Sequence, residues 1–183
     1  MLRCLLPVLL AFTATSAGAA TYPVDPVRTQ VSFSVRGPVV MRTDGVVAAS
    51  SGEVVFDPAQ IQASQVAVDL DMRHLTTGFS GIDAWLRGRG GFDVATFPTA
   101  RFSSTQVVAD TNNQARISGD LTLHGITRPV TILARLMPSQ NEADGVEFVG
   151  EGQVKRSDFN VKAMPFVSNI IALKIVVKTF PQK

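Results

Sequence analysis

The strongest constraint on this chain is an apolar–polar alternation of period two that returns from one end to the other. Val31, Phe33 and Val35 alternate with Ser32 and Ser34, and Val66, Val68, Leu70 and Met72 alternate with Ala67, Asp69, Asp71 and Arg73. The same beat runs through Ile117, Gly119, Leu121 and Leu123 against Ser118, Asp120, Thr122 and His124. It continues in Val130, Ile132, Ala134 and Leu136, in Val146 and Phe148, and in Ile171, Leu173, Ile175 and Val177 against Lys174 and Lys178. Successive side chains of a strand point to opposite faces, so each run has one face for a core and one for water. A slip of one residue would turn every apolar set outward, so the register of each strand is tightly specified.

Turn chemistry separates the runs. Thr43-Asp44-Gly45 and Ala143-Asp144-Gly145 read as hairpin turns, because glycine tolerates the positive φ such turns demand. Asp57-Pro58 closes the strand ending at Phe56, and Asp110 to Gln114 reads as a polar tip between two strands. The sum is about eight to ten strands with short connections, hence an all-β, antiparallel fold. One segment departs from it. Phe79, Ile82 and Leu86 recur at helical spacing over Phe79 to Arg87, with Asp83 and Arg87 spaced to pair on the exposed side. This predicts one short helix after the fourth or fifth strand, ended by Gly88-Arg89-Gly90-Gly91. Phe92-Asp93-Val94 resumes compact structure, and Phe97-Pro98 opens a strand through Phe102. The aromatics Phe79, Trp85, Phe92, Phe97 and Phe102 crowd this stretch, and a sheet with one helix can bury them only at a barrel mouth or along one wall.

The first residues are of another kind. Met1-Leu2-Arg3 is a short positive start, Leu5 to Thr13 an apolar run broken by Pro7, and Ala17-Gly18-Ala19 a small-x-small cleavage pattern. This is the layout of a secretory signal peptide over residues 1–20; the apolar run is too short to span a bilayer. Residues 21–183 are then expected to form a single exported domain. The chain's one cysteine, Cys4, leaves with the signal, so neither a disulfide framework nor a cysteine-rich metal site is available. The 17 basic and 15 acidic residues are nearly balanced, which argues against a nucleic-acid binder built on phosphate neutralisation. One Tyr and one Trp cannot build the two aromatic girdles of a membrane barrel, so the pattern suits a water-soluble barrel with an apolar interior, not an integral membrane protein.

No catalytic constellation stands out. Ser103-Ser104-Thr105 lacks the Gly-x-Ser-x-Gly elbow of a nucleophile, and those hydroxyls read as bonded locally or to water. His74 and His124 fall on separate strands, short of the three or four ligands a metal needs. Asp69, Asp71 and Asp120 sit in the outward set and read as solubility charges. Arg36, Arg87 and Arg89 flank glycine-containing loops, where a guanidinium fork matches an anionic head group; the plain alternative is solvated loop arginine.

Three segments bear a resemblance. Gly119-Asp120-Leu121-Thr122-Leu123-His124-Gly125-Ile126-Thr127-Arg128-Pro129-Val130 resembles the signature of the YceI-like family. Phe92-Asp93-Val94 to Phe102-Ser103-Ser104 is similar to its Phe-Asp-Val turn followed by a Phe-x-Ser strand. Val24-Asp25, then Val31-x-Phe33-x-Val35 and Gly52-x-Val54-x-Phe56-Asp57 match its first strands, and Thr77-Gly78 with Asp83 and Leu86 its strand-to-helix junction. The chain departs from the family where histidine is common and Arg28 and Arg36 stand, and where Arg89-Gly90-Gly91-Phe92 replaces an acidic, doubly aromatic run.

The resemblance implies a lipocalin-like antiparallel barrel around a long apolar cavity. It implies an exported protein that binds a polyisoprenoid or other amphiphilic lipid, without cofactor or established catalytic residues. Some members are dimers, which leaves a homodimer open. The residues expected to face such a cavity are Phe33, Val35, Val68, Leu70, Met72, Phe79, Ile82, Leu86, Phe102, Leu121, Ile132 and Phe148. Each could equally pack a filled barrel, since filled small barrels are common. The function expected is therefore a carrier or sequestering protein for an isoprenoid-like or fatty lipid, not an enzyme. Its alternatives are a filled interaction module that modulates a membrane or redox partner, and an enzyme acting on a bound lipid.

Overall fold

The structure is a computed structural model that describes residues 19–39, 41–110, 114–137, 145–162 and 166–180. The expected signal segment lies outside the described residues except at its end, where Ala20 opens the first strand.

The strands are β1 (Ala20–Pro23), β2 (Gln30–Arg36), β3 (Arg42–Phe56), β4 (Gln65–Asp71), β5 (Thr99–Ala109), β6 (Gln114–Leu123), β7 (Ile126–Met137), β8 (Glu147–Lys155) and β9 (Ile170–Lys178). Every pairing is antiparallel. The long β3 pairs with β2 through Arg42 to Ala48 and with β4 through Ala49 to Val55, which closes β2 to β9 into an eight-stranded barrel. β1 lies against the far half of β3, and Val24 then bridges to Thr179 beyond β9. The first wall is thus shared by β1 and β2.

Bulges let a flat alternation close into a barrel. β3 shifts register between Ala49 and Ser51, and β5 between Ser104 and Gln106. Each extra residue bends its strand and flips the inward parity. On β3 the buried positions run Val47 and Ala49, then Val54; on β5 they run Ala100, then Val107.

Two turn assignments are corrected. Thr43-Asp44-Gly45 is not a turn but part of β3, where Gly45 pairs with Phe33. Glycine is needed there because a Cβ would stand 2.3 Å from Phe33 Cζ. The reversal lies earlier, where the Gly37 N–H donates to the Met41 carbonyl at 2.9 Å. The Ala143-Asp144-Gly145 turn lies outside the described residues apart from Gly145, as does most of the Asp110–Gln114 tip. The signature segment is itself a hairpin. Leu123 pairs with Ile126, and His124 and Gly125 between them have φ of 51° and 72°, the two left-handed residues of a type I′ turn.

The helix α1 (Ser80–Arg87) follows β4, as expected. Its spacing placed Leu86 correctly, since it packs inward, but not Phe79 or Asp83. Phe79 precedes it and is 68% exposed, whereas Asp83 is buried at 7%. Asp83 turns inward because it holds the crossover that leads into the helix, accepting from Thr76 Oγ1 at 2.7 Å, Thr77 Oγ1 at 2.7 Å and the Thr77 N–H at 2.6 Å. With residues 156–161 this crossover plugs one end of the barrel. Met72, Leu75, Phe92, Phe159 and Val161 are buried there, with Leu86 packed against them. A second cluster, Val24, Ala49, Val54, Val68 and Val177, fills the opposite end. Trp85 lies against Gly90 and Phe97 stands edge-on to His124, so with Phe92 they sit at the plugged mouth, one of the two expected places, whereas Phe79 is exposed and Phe102 lies deeper in the barrel.

Candidate functional site

Between the two clusters lies an interior cavity of about 110 Å³. The inward faces build it: Val68 and Leu70 on β4, Phe102 on β5, Leu121 on β6, Ile132 on β7 and Phe148 on β8. β9 adds Leu173, Ile175 and Val177. Thr29 is the one hydroxyl on its wall, and it is spent: it donates to the Lys178 carbonyl and accepts the Lys178 N–H, both at 2.9 Å. No buried side-chain nitrogen or oxygen among the described residues lacks a partner. Such a space has nothing to offer a polar solute, and an apolar void stays dry.

β8 makes the room. Its inward positions are Phe148, Gly150, Gly152 and Val154, so two side chains are missing from the middle of the strand. Ile132 of β7 leans into the gap; a Cβ on Gly152 would stand 2.5 Å from its Cδ1. Sequence reading marked the alternation of β7 and β9 but not this Gly-x-Gly, which was the available signal. It also missed Val31, Val54 and Val66, whose depth along the barrel period two does not reveal.

Of the twelve expected residues, Val68, Leu70, Phe102, Leu121, Ile132 and Phe148 line the cavity. Phe33, Val35, Met72 and Leu86 instead pack in the plug, one layer away. Ile82 is half-buried outside both clusters, and Phe79 points to solvent because its place before the helix frees it from the packed face.

The arginines lie at the plugged end. Arg87 is a structural brace: Nε and Nη2 donate to the Leu75 carbonyl at 2.8 and 2.6 Å, and Nη2 stands 3.7 Å from Asp83. Thr77 and Thr76, ahead of Arg87, hold the Asp83 carboxyl below its usual range. Arg36 and Arg89 are exposed, at the end of β2 and in the turn after α1. The plug separates all three from the cavity.

Asp71 is corrected from a solubility charge to a buried anchor. It binds Arg73 through both oxygens at 2.9 and 2.8 Å and accepts the Arg73 N–H, and its carboxyl is lowered to about 2, chiefly by Arg73. Asp69 does face water, where it meets Arg101 across the strands at 3.1 Å. His124 Nδ1 lies 3.0 Å from the Phe159 carbonyl and its ring stands edge-on to Phe97, a packing role; His74 Nδ1 lies 3.0 Å from Asp71. Ser104 accepts the Val66 N–H at 2.8 Å. No group of three metal-ligating side chains occurs among the described residues.

A second, larger hollow runs over the outer face of β2, β9 and β8, about 1030 Å³ and open to solvent. Ser32, Ser34 and Ala172 form its floor, with Arg42, Asp44, Arg116, Glu151 and Lys174 around it. Its openness and the charged side chains around it make it a poor place for an apolar chain, so the smaller interior is the candidate site.

Fold and site together define a closed antiparallel barrel with an apolar interior. Residues 22–179 match the YceI-like domain, and the chain belongs to that family. It is 32% identical to a UPF0312 protein of Vibrio cholerae over 154 residues, covering 81% of this chain and 82% of that one. It is 33% identical to protein YceI of Escherichia coli O157:H7 over 158 residues, covering 84% and 82%. Among solved structures it is similar to BcnA of Burkholderia cenocepacia, with TM-score 0.73, 24% identity and coverage of 84% and 98%. A polyisoprenoid binding domain from Saccharophagus degradans, implicated in plant cell wall breakdown, has TM-score 0.60, 13% identity and coverage of 88% and 98%. At these identities the two structures show the shared fold.

Proposed function

We propose that this protein binds an isoprenoid-like or other amphiphilic lipid chain inside its barrel, as an exported carrier or sequestering protein of the periplasm. The carrying observation is the interior cavity, walled by apolar side chains, with every buried polar side-chain atom among the described residues already partnered. Family membership and the polyisoprenoid-binding neighbour support the same ligand class. The signal-like residues 1–20 support export.

Size sets how the chain is held. A volume of 110 Å³ has room for roughly four water-sized groups, well below the ~300 Å³ at which small-molecule pockets begin. A few methyl and methylene groups fit as the barrel stands. A longer chain enters by displacing lining side chains such as Phe148. This residue lines the cavity toward the end where its ring meets Phe56 edge-on, 5.6 Å between centroids. Each methylene moved from water contributes about 0.8 kcal/mol, offset by ordering of chain and protein.

The small volume also favours a second reading: a filled barrel that acts through its surface on a membrane or redox partner. Titration of delipidated protein with farnesol and with longer polyprenols, followed by intrinsic fluorescence and calorimetry, separates the two. Saturable binding at one site per barrel, with a negative heat-capacity change, supports the carrier. Absence of binding at any chain length supports the filled module.

A further inference from the structure

The plugged end carries a feature that a lipid cavity does not require. The register sets Arg36 of β2 against Arg42 of β3, and Ile170 of β9 against Lys155 of β8. Val35 pairs with Ile171, so Ile170 lies next along, beside Arg36. The outer face at this end is therefore a row of three basic residues with an isoleucine, 40% exposed, set among them. Just past Arg36 the chain carries Val39 at 98% and Met41 at 69% exposure, and shortly before β9 it carries Phe166 at 86%. The Ser168 N–H donates to the Arg36 carbonyl at 2.8 Å, which ties the two stretches together. Lys162 is exposed as well.

Charge and apolar surface act together here. Arg36 and Lys155 form no ion pair among the described residues. Of the acidic groups on and beside these strands, Asp44 is paired with Arg42 at 2.7 Å, exposed Asp158 keeps its charge just past Lys155, and Glu53, Glu147 and Glu151 lie further along β3 and β8. A side chain such as Phe166 left almost wholly in water gains nothing for the fold, and large exposed apolar residues clustered inside a polar rim mark an interaction site. Apolar tips ahead of a basic band match the layered chemistry of an anionic bilayer, with acyl chains beneath phosphates.

We infer that this protein docks reversibly on anionic membrane surfaces through its plugged end. Val39, Met41 and Phe166 enter the acyl boundary, while Arg36, Lys155 and Lys162 meet the phosphates. The inference rests on the outer surface and does not depend on what the barrel interior holds. Docking this way leaves the opposite end, where Phe56 and Phe148 meet, facing the aqueous phase.

The test is co-sedimentation of the whole protein, delipidated, with vesicles of phosphatidylglycerol in phosphatidylethanolamine, and with phosphatidylcholine alone. Binding to the anionic vesicles is expected, weakening as salt screens the charges. R36E/K155E is expected to lower the partition coefficient by about tenfold or more, and V39S/F166S comparably. V27S, which alters a residue 92% exposed at the opposite end, leaves binding unchanged. All four substituted residues of the test variants are exposed, so folding is retained and is checked by thermal melting. Equal binding by all variants, binding only to phosphatidylcholine, or concentration-dependent self-association that the same variants abolish without vesicles would each overturn the inference. Farnesol titration of R36E/K155E keeps the two proposals apart, since surface variants leave interior binding intact.

Discussion

Ile132 occupies the room that Gly150 leaves on the neighbouring strand: a Cβ on Gly150 would stand 2.8 Å from Ile132 Cγ2. Both residues line the cavity, so this pair sets its size. Gly150→Val overfills the space and is expected to cost about 1–3 kcal/mol of stability while abolishing uptake of an apolar probe. Ile132→Ala does the reverse. It costs about 2–4 kcal/mol and admits bulkier probes. Urea unfolding and titration with a fluorescent apolar dye measure both.

Phe33 and Gly45 make a similar fit in the plug. Gly45→Ala forces the Phe33 ring aside and is expected to lose about 1–3 kcal/mol. Phe33→Ala removes the ring that the glycine accommodates, so the double variant is expected to lose less than the two single losses combined. A double-mutant cycle by chemical denaturation checks it; strict additivity would deny the contact.

Acid sensitivity follows from Asp71 and Asp83. The folded pKa of Asp71, about 2, lies below the ordinary 3.8, so its contribution is complete above pH 3.8 and fades as pH falls toward 2. Asp83 is lowered as well and acts in the same direction. Asp71→Asn is expected to cost about 1–2 kcal/mol at neutral pH and to flatten the acid limb of the stability curve. Thermal melts of both proteins across that range give the slopes directly.

Arg87 separates bracing from ligand contact. Arg87→Ala removes two hydrogen bonds to the Leu75 carbonyl and is expected to cost about 1–2 kcal/mol. Its affinity for an anionic prenyl phosphate is expected to match that of the native protein, since the plug stands between Arg87 and the cavity. Calorimetric titration reads the affinity, and a selective loss for the phosphate over the alcohol would restore Arg87 as a head-group residue.

Period two carried most of the fold into view, because a strand's two faces are written in adjacent letters. The alternating apolar residues of Val31 to Val35, Ile117 to Leu123 and Ile171 to Val177 turn inward as their alternation puts them. What stayed hidden depends on contacts between distant segments. Gly45 looks like a turn residue until Phe33 is laid beside it. The bulges at Ala49/Ser51 and Ser104/Gln106 leave no local mark, yet they reverse which residues point inward. Helical spacing put Asp83 outside, and the demand of Thr76 and Thr77 for a partner brought it in. Alternation identified the inward face but not the level, so Phe33 and Met72 were indistinguishable from Phe102 and Leu121.

Native mass spectrometry of the protein purified from its own host tests lipid binding most directly, with Gly150→Val run beside it. A lipid-binding barrel gives an adduct of defined mass on the native protein that organic extraction removes and that Gly150→Val lacks. A native protein without adduct that also fails to take up added polyprenol, or an adduct carried equally by Gly150→Val, would contradict a cargo held in the barrel interior.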